Sequence, residues 1–586
     1  MNNEELDKLR HSTSHLLAAA VMELWPETKR AIGPSIENGF YFDFDFGKVK
    51  ITESDFSKIE KKMHDIVKNW KIFDKYELGA DEAKKEYPGN EFKHELINEF
   101  SEKGKKKVTF YKSGNYWDLC LGGHIDSPNE NIKYFKLLSV AGAYWRGSEK
   151  NKMLTRIYGT AFPTQKELEH YLWQQEEAKK RDNRKIGREL ELFTISDEVG
   201  PGLILWLPKG TIIRDEIEKF GKEVEAKYGY LRVTTPHITK EGLYIKSGHL
   251  PYYKDDMFPP MEYEGEKYYI KPMNCPHMHM IYKFKKRTYK ELPIRFAEFG
   301  TVYRHEDSGA LLGLLRVRGH TTNDAHIYCS EENVIDELVD VLKMHEYYYK
   351  IFGIKDYYVE LALPDFEKKK DKYFDDPEAW KKSSELLREA AKKSGINVVE
   401  NKGGAAFYGP KFDFNIKSAI GREFGASTNQ LDFGSGKRFE LTYVDKDGQE
   451  KIVPYIVHRA PLGSLERFIG FLIENYGGAF PVWLSPVQVK ILPITDRNLK
   501  FAQSISAKLK DENIRFELDD RAETLQAKIR DAQLTKIPYM FVVGDKEEKQ
   551  NQVAVRLRSG EDLKQLSVDK IVNRIKEKIE KRSLDL

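Results

Sequence analysis

Apolar and charged residues alternate along the chain in spacings that predict its elements in order. A helix spans Leu9 to Trp25, and a turn-rich strand pair surrounds IGPSIENGFYFDFDF. A charged helix follows Thr52, and strands such as KKVTFYKSG come after it, so residues 1–162 read as an α+β domain. Residues 163–190 are strongly charged, lack internal proline after Pro163 and place Leu168, Tyr171 and Leu172 on one face. That pattern predicts a long helix linking two domains.

Beyond the linker, WLPKGTIIRDEIEKFGKEVEAKYGYLRVTTP predicts an amphipathic helix and then a β-rich run stopped by Pro236. Strand signals dominate up to Trp483, with helices near 331–350 and 376–394, so residues 191–485 predict a large antiparallel sheet. In residues 486–586 the strands VQVKILPIT, IRFELDD and YMFVVG alternate with helices, which predicts an α/β domain with a largely parallel sheet.

Composition narrows the class. At 586 residues the chain is too long for one core. No apolar run approaches the roughly 18 residues of a membrane span, so no membrane role is expected. The start, MNNEELDKLR, lacks the apolar centre of a secretory signal, and only three cysteines occur, which fits a reducing cytoplasm. A net charge of +3 does not announce a nucleic-acid binder, so any RNA site must come from local residues.

Four stretches carry candidate chemistry. In EFGTVYRHEDSGALLGLLRVRGHTTNDAHIYC, Arg304 and Glu306 are expected on a strand, followed by a Ser-Gly turn and by Arg316 and Arg318. Guanidinium groups at the two ends of a hairpin either clamp a polyphosphate or belong to a salt-bridged hairpin, and spacing leaves both readings open. Arg467 opens an apolar helix in HRAPLGSLERFIGFLIE and taken alone is an ordinary surface arginine. RHSTSHLLAAA puts His11 and His15 four residues apart on one helix face, and NYWDLCLGGHIDSP puts Cys120 and His124 at the same spacing. A four-ligand zinc site, a buried structural cluster and a metal-free hydrolytic site all remain open for this quartet.

The YRHE and RVRG strands, the GSLERFIG helix and the segment ending at Pro236 resemble motifs 2, 3 and 1 of class II aminoacyl-tRNA synthetases. The succession KPMNCP, NDAHIY, FYGPK, IGREF, TNQLDF and VHRAPLGSLERF is similar, within that class, to the threonyl-tRNA synthetase family, and the likeness runs from residue 10 nearly to the C-terminus. The resemblance implies an N-terminal editing domain, a class II antiparallel catalytic core and a C-terminal α/β anticodon-binding domain. It implies threonine activation by ATP, transfer to tRNA(Thr), and a homodimer paired through motif 1.

By the same resemblance, Arg304 holds the ATP α-phosphate and the threonine carboxylate, Glu306 the adenine side, and Arg316 with Arg467 the γ-phosphate, with Mg²⁺ completing the neutralisation. Cys275, His326 and His458 correspond to the ligands of one zinc ion, whose fourth position meets threonine, with Asp324 accepting from its hydroxyl. Tyr408, Gln430 and Lys411 are implied threonine contacts and Thr428 an ATP contact. A site built around the hydroxyl rejects valine strongly. Serine lacks only a methyl, worth about 1–3 kcal/mol, so a second, hydrolytic site is expected. The resemblance assigns that site to His11, His15, Cys120 and His124, joined by Asp118 and Lys93, hydrolysing Ser-tRNA(Thr) without metal. Glu547 and Arg556 are implied readers of anticodon bases.

The sequence departs from the family pattern in places. The likeness starts at the editing domain, so a form without the usual N-terminal ubiquitin-like domain is expected. Thr322 stands for a substrate-side Gln, Gly425 for a Gln that helps bind ATP, Gly123 for a common Pro, and Ala522 for an anticodon-region Asn. A prolyl- or seryl-type synthetase would not call for Cys275, His326 and His458 together. A non-catalytic RNA-binding derivative would be marked by loss of Arg304, Arg467 or a zinc ligand, and none is lost.

Overall fold

Asn2 starts the first helix, Asn3–Leu24, with a reciprocal cap: its side chain accepts from the Glu5 amide at 2.9 Å while the Glu5 carboxylate accepts from the Asn2 amide at 3.1 Å. This computed structural model describes all residues except 104–106, 368–372, 419–420 and 422. The chain divides into two units, Met1–Glu176 and Glu177–Leu586.

In the first unit, Leu16, Leu17, Ala20 and Val21 of that helix pack into one core with Phe40, Phe42 and Phe44. These phenylalanines alternate along strand Gly39–Asp45, the period that turns one strand face inward. The strand lies between Lys29–Arg30 and Met153–Phe162, with Tyr134–Tyr144 beyond, all antiparallel. A smaller antiparallel sheet joins Asp74–Gly79, Lys107–Ser113 and Tyr116–Leu119. The expected α+β organisation is present.

In the second unit, the described residues form an eight-stranded sheet. Its order is Leu231–Arg232, Ile294–Tyr303, Gly319–Cys329, Tyr455–Ala460, Glu423–Asp432, Lys411–Lys417, Tyr357–Leu363 and Val398–Lys402. The interior pairings are antiparallel, as expected, and the outermost strand at each edge is parallel to its neighbour. Helices Pro208–Lys227, Val334–Ile351 and Leu465–Tyr476 contribute Ile217, Leu342 and Ile469 to the main core of this unit.

Three expectations are corrected. The charged linker is not one continuous helix: Gln165–Lys180 stops, and Asp182 accepts from the Arg184 amide at 2.8 Å to start Asn183–Glu189. Arg304 and Glu306 are not on a strand, because Ile294–Tyr303 ends one residue earlier. The C-terminal sheet is mixed. Phe516–Leu518, Val489–Pro493 and Tyr539–Val543 run parallel, but the hairpin of Gln552–Leu557 and Asp562–Ser567 adds two antiparallel strands. A hairpin needs no crossover helix, so the alternation that marks the first three strands stops there.

Candidate active sites

Cross-strand partners share a sheet face, so register alone assembles one row of polar side chains in the second unit. His326 pairs with His458, His458 with Gln430, and Gln430 with Lys411. Cys275 reaches the row from the first position of helix Cys275–Lys283. The ligand atoms of Cys275, His326 and His458 lie within 4.8 Å of one another. His326 is 2% exposed and among the described residues both its ring nitrogens lack hydrogen-bond partners, an arrangement that costs about 1–3 kcal/mol unless something ligates it. Burial holds its imidazole well below the usual range, in the neutral form that binds metals.

Supporting contacts surround this triad. His458 Nε2 lies 3.1 Å from Asp432 Oδ2, the carboxylate–histidine pairing that orients metal ligands. Asn274 donates to Asp324 at 2.6 Å, and burial raises the Asp324 carboxyl while that bond opposes the rise. Tyr408 stacks on His458 with centroids 5.2 Å apart and bonds Gln430, and Gln430 donates to Thr428 at 3.1 Å. Lys411 pairs with Asp413.

The triad opens onto a cavity of about 460 Å³ lined by Arg304, Glu306, Arg316, Asp324, Lys411 and Arg467 among the residues named from the sequence, but not by Arg318, which donates to the Glu306 carbonyl at 2.9 Å. Arginines line it too. Arg467, in the first turn of helix Leu465–Tyr476, donates to the carbonyls of Leu315 at 3.1 Å and Gly425 at 3.3 Å. Burial pulls its guanidinium below its usual range, and nearby Arg304 and Arg316 pull it further while Glu306 opposes them. Glu306 is already engaged, accepting from Arg316 Nε at 2.7 Å. The hairpin thus contains the salt bridge of the simpler reading and still leaves excess positive charge in the cavity. Such a cluster suits a polyphosphate.

In the first unit, the rings of His11, His15 and His124 lie 4.8–4.9 Å apart by centroids. Cys120 completes the quartet, with donor atoms within 4.8 Å of one another. His11 Nε2 lies 3.1 Å from Cys120 Sγ, His124 Nδ1 lies 3.3 Å from Ser12 Oγ, and Phe73 stacks on His124 at 3.9 Å. Burial pulls His124 down to about 3, holds His15 well below its usual range, and pushes the Cys120 thiol up to about 11. Behind the rings, burial alone would raise the Asp118 carboxyl, but Lys93 at 2.7 Å and Arg30 at 3.4 Å hold it low. Tyr87 and Tyr116 donate to the same carboxylate at 2.7 and 3.0 Å, and His15 Nδ1 lies 3.9 Å away. Among the described residues, His124 Nε2 and His15 Nδ1 have no hydrogen-bond partner.

The two C-terminal candidates sit differently. Glu547 is 8% exposed and accepts from the Gly544 amide at 3.0 Å and from Gln565 at 2.8 Å, so its carboxylate is engaged within its own domain. Arg556 is exposed on strand Gln552–Leu557. Sequence reasoning missed Asp432, Asn274, Arg30, Tyr87 and Tyr116. Asp432 sits inside the quoted TNQLDF, but no spacing rule ties it to His458.

Residues 258–476 match the tRNA synthetase class II core domain (G, H, P, S and T). Residues 488–578 match the anticodon binding domain, and residues 108–158 the threonyl and alanyl tRNA synthetase second additional domain. The chain is 48% identical over 580 residues to a threonine–tRNA ligase of Sulfurihydrogenibium sp., covering 98% of this chain and 89% of that one. It is 47% identical over 572 residues to that of Geobacillus kaustophilus, covering 97% and 87%. A crystal structure titled as the RNA binding domain of threonyl-tRNA synthetase from Cryptosporidium parvum superposes with TM-score 0.64 at 34% identity, over 68% of this chain and 98% of that one. A putative threonyl-tRNA synthetase from Aeropyrum pernix gives 0.60 at 28% identity, over 69% and 97%. With near-complete coverage at this identity, the chain belongs to the threonine–tRNA ligase family.

Proposed function

We propose that this chain activates threonine with ATP, transfers it to tRNA(Thr), and hydrolyses Ser-tRNA(Thr) in its N-terminal unit. The observation that carries the reading is the cavity that joins the Cys275/His326/His458 triad to the Arg304/Arg316/Arg467 cluster. One part can hold the amino acid and the other neutralise phosphate, and forming an adenylate brings those two ligands together. Cys275, His326 and His458 would hold Zn²⁺, which would supply a Lewis-acidic position for the amino acid, and Mg²⁺ arriving with ATP would offset phosphate charge.

In this reading, Asp324 accepts from the threonine hydroxyl, and Tyr408, Gln430 and Lys411 position the amino acid. Arg304 bridges the carboxylate and the α-phosphate, so attack is aligned and the developing charge is met by a fixed guanidinium. Arg316 swings from Glu306 to the γ-phosphate with Arg467, which frees Glu306 for the adenine edge. Thr428 contacts ATP.

For editing, His11, His15 and His124 are neutral bases able to take a proton from water attacking the seryl ester and return it to the ribose oxygen. Lys93 supplies positive charge near that oxygen, and Asp118 positions Lys93. The His11–Cys120 and Ser12–His124 contacts favour a metal-free quartet.

We assign residues 1–162 to editing, 163–190 to the linker, 191–485 to catalysis and 486–586 to anticodon binding. There Arg556 is the presented side chain and Glu547 acts through Gln565. Leu231, 58% exposed on an edge strand, supports homodimer pairing, and among the described residues no helix is long and apolar enough to cross a membrane. Charging of a tRNA(Thr) transcript tests the whole reading. Threonyl-tRNA should accumulate, and Ser-tRNA(Thr) should accumulate only when His11 and His15 are both replaced by Ala. Failure to charge threonine would reject it.

A further inference from the structure

Strand Lys411–Lys417 alternates strictly. Phe412, Phe414 and Ile416 are fully buried, while Lys411, Asp413 and Asn415 line the cavity. Lys411 and Asp413 pair with each other, but among the described residues the Asn415 carboxamide has no hydrogen-bond partner. Asparagine is disfavoured in strands, so an unpartnered one facing a cavity asks for a reason.

Its position suggests that reason. Successive residues on one strand face are about 7 Å apart, so Asn415 stands roughly 13 Å along the strand from Lys411. Lys411 shares the row of Gln430, His458 and His326, at the ligating end. Asn415 pairs with Gly425, whose carbonyl accepts from Arg467, at the arginine end. The register shifts between Phe414 and Asn415, because the facing strand carries one extra residue, Ala426, between the partners Ser427 and Gly425. A Cβ built on Gly425 would meet only Asn415 Oδ1, at 3.6 Å. The glycine thus leaves a space over the strand that faces the asparagine amide.

We propose that Asn415 is a nucleoside-binding residue of this cavity, its carboxamide using the space over Gly425 to hydrogen-bond the uncharged part of ATP. The inference rests on reading the cavity as the adenylation site. Arginines suit the phosphates, whereas a neutral group with both donor and acceptor suits ribose hydroxyls or a base edge. Because the Asn415 carboxamide makes no hydrogen bond among the described residues, its removal subtracts chiefly the ligand's bond.

Threonine-dependent ATP–pyrophosphate exchange tests this with the full-length protein. Asn415→Ala should raise KM for ATP about tenfold, the worth of one hydrogen bond in a protected site, and leave KM for threonine within twofold. In Asn415→Ala/Gly425→Gln the carboxamide returns from the neighbouring strand and most of the lost ATP affinity should recover. Gly425→Gln alone should gain little. An ATP KM within twofold of wild type in Asn415→Ala, or a parallel rise in both KM values, overturns the proposal. If Asn415→Ala does not fold, the strand-favouring Asn415→Val makes the same comparison. Absence of exchange in the wild type would instead reject the adenylation reading itself.

Discussion

His326 and His458 face each other as register partners on adjacent antiparallel strands, ring centroids 4.5 Å apart, with Asp432 behind His458. Such a pair is fixed by backbone pairing, so the third ligand, Cys275, need only be brought up by the start of its helix. Purified protein should therefore carry one zinc per chain by elemental analysis, and Cys275→Ser or His326→Ala should remove it. Asp432→Asn should keep the ligands but weaken zinc about 10–100-fold, as loss of an orienting carboxylate does. Two zinc ions in the wild type would place a second metal in the N-terminal quartet, and one that survives Cys275→Ser would assign the metal to that quartet instead.

Asp118 compensates two buried cations, Lys93 at 2% and Arg30 at 7% exposure. Replacing it with Asn leaves both charges unpaired in a buried setting, which costs about 3–5 kcal/mol. Asp118→Asn should lower the unfolding midpoint and abolish Ser-tRNA(Thr) hydrolysis, while threonine-dependent exchange persists in the other unit. Full editing in a variant of unchanged stability would contradict the role given to this carboxylate.

The Arg316–Glu306 bridge is 2.7 Å long, but the arginine side chain is 52% exposed. An exposed pair contributes about 0–1 kcal/mol, so Arg316→Ala should unfold like the wild type. Its effect should appear in ATP use, with KM for ATP up by about an order of magnitude. Arg467→Ala removes a more buried cation and should lower kcat about a hundredfold or more. A destabilised Arg316→Ala with normal ATP kinetics would restore the plain salt-bridge reading.

Buried histidines set the acid limit. Burial pulls His124, His320 and His345 down to about 3 and His249 to about 4. Below about pH 6.5 the unfolded chain binds protons that the folded chain refuses, so stability rises with pH through the window from about 3 to 6.5 and is flat above it. Thermal unfolding of the full chain should show a midpoint that falls steadily as pH drops from 6.5 to 4. By the same shift, the neutral editing bases persist below pH 6, so single-turnover Ser-tRNA(Thr) hydrolysis should lose little rate between pH 7 and 5.5. A midpoint independent of pH would remove the argument for both.

Much of the site was legible because strand register and helix spacing turn sequence order into position. His11 and His15 share a helix face, and the RVRG and YRHE segments meet at one cavity. The scattered Cys275, His326 and His458 were identified only through family resemblance, since no local spacing links a helix start to two strands. Asp432, Arg30 and Tyr116 escaped notice because their roles depend on what packs behind a ligand or base. Helix periodicity also ran through Asp182 without registering its cap, and strand signals at YRHE extended past the point where the chain leaves the sheet at Arg304. Side-chain capping and hydrophobic period are separate forces, and only the second is read by pattern.

ATP–pyrophosphate exchange with a panel of threonine, serine, valine and proline tests the central claim most directly. Threonine should drive exchange best, serine should follow within about 10–200-fold because it lacks only a methyl, and valine should fall far behind for want of the hydroxyl. Exchange driven best by proline, or valine rivalling serine, would contradict a threonine site built on Cys275, His326 and His458.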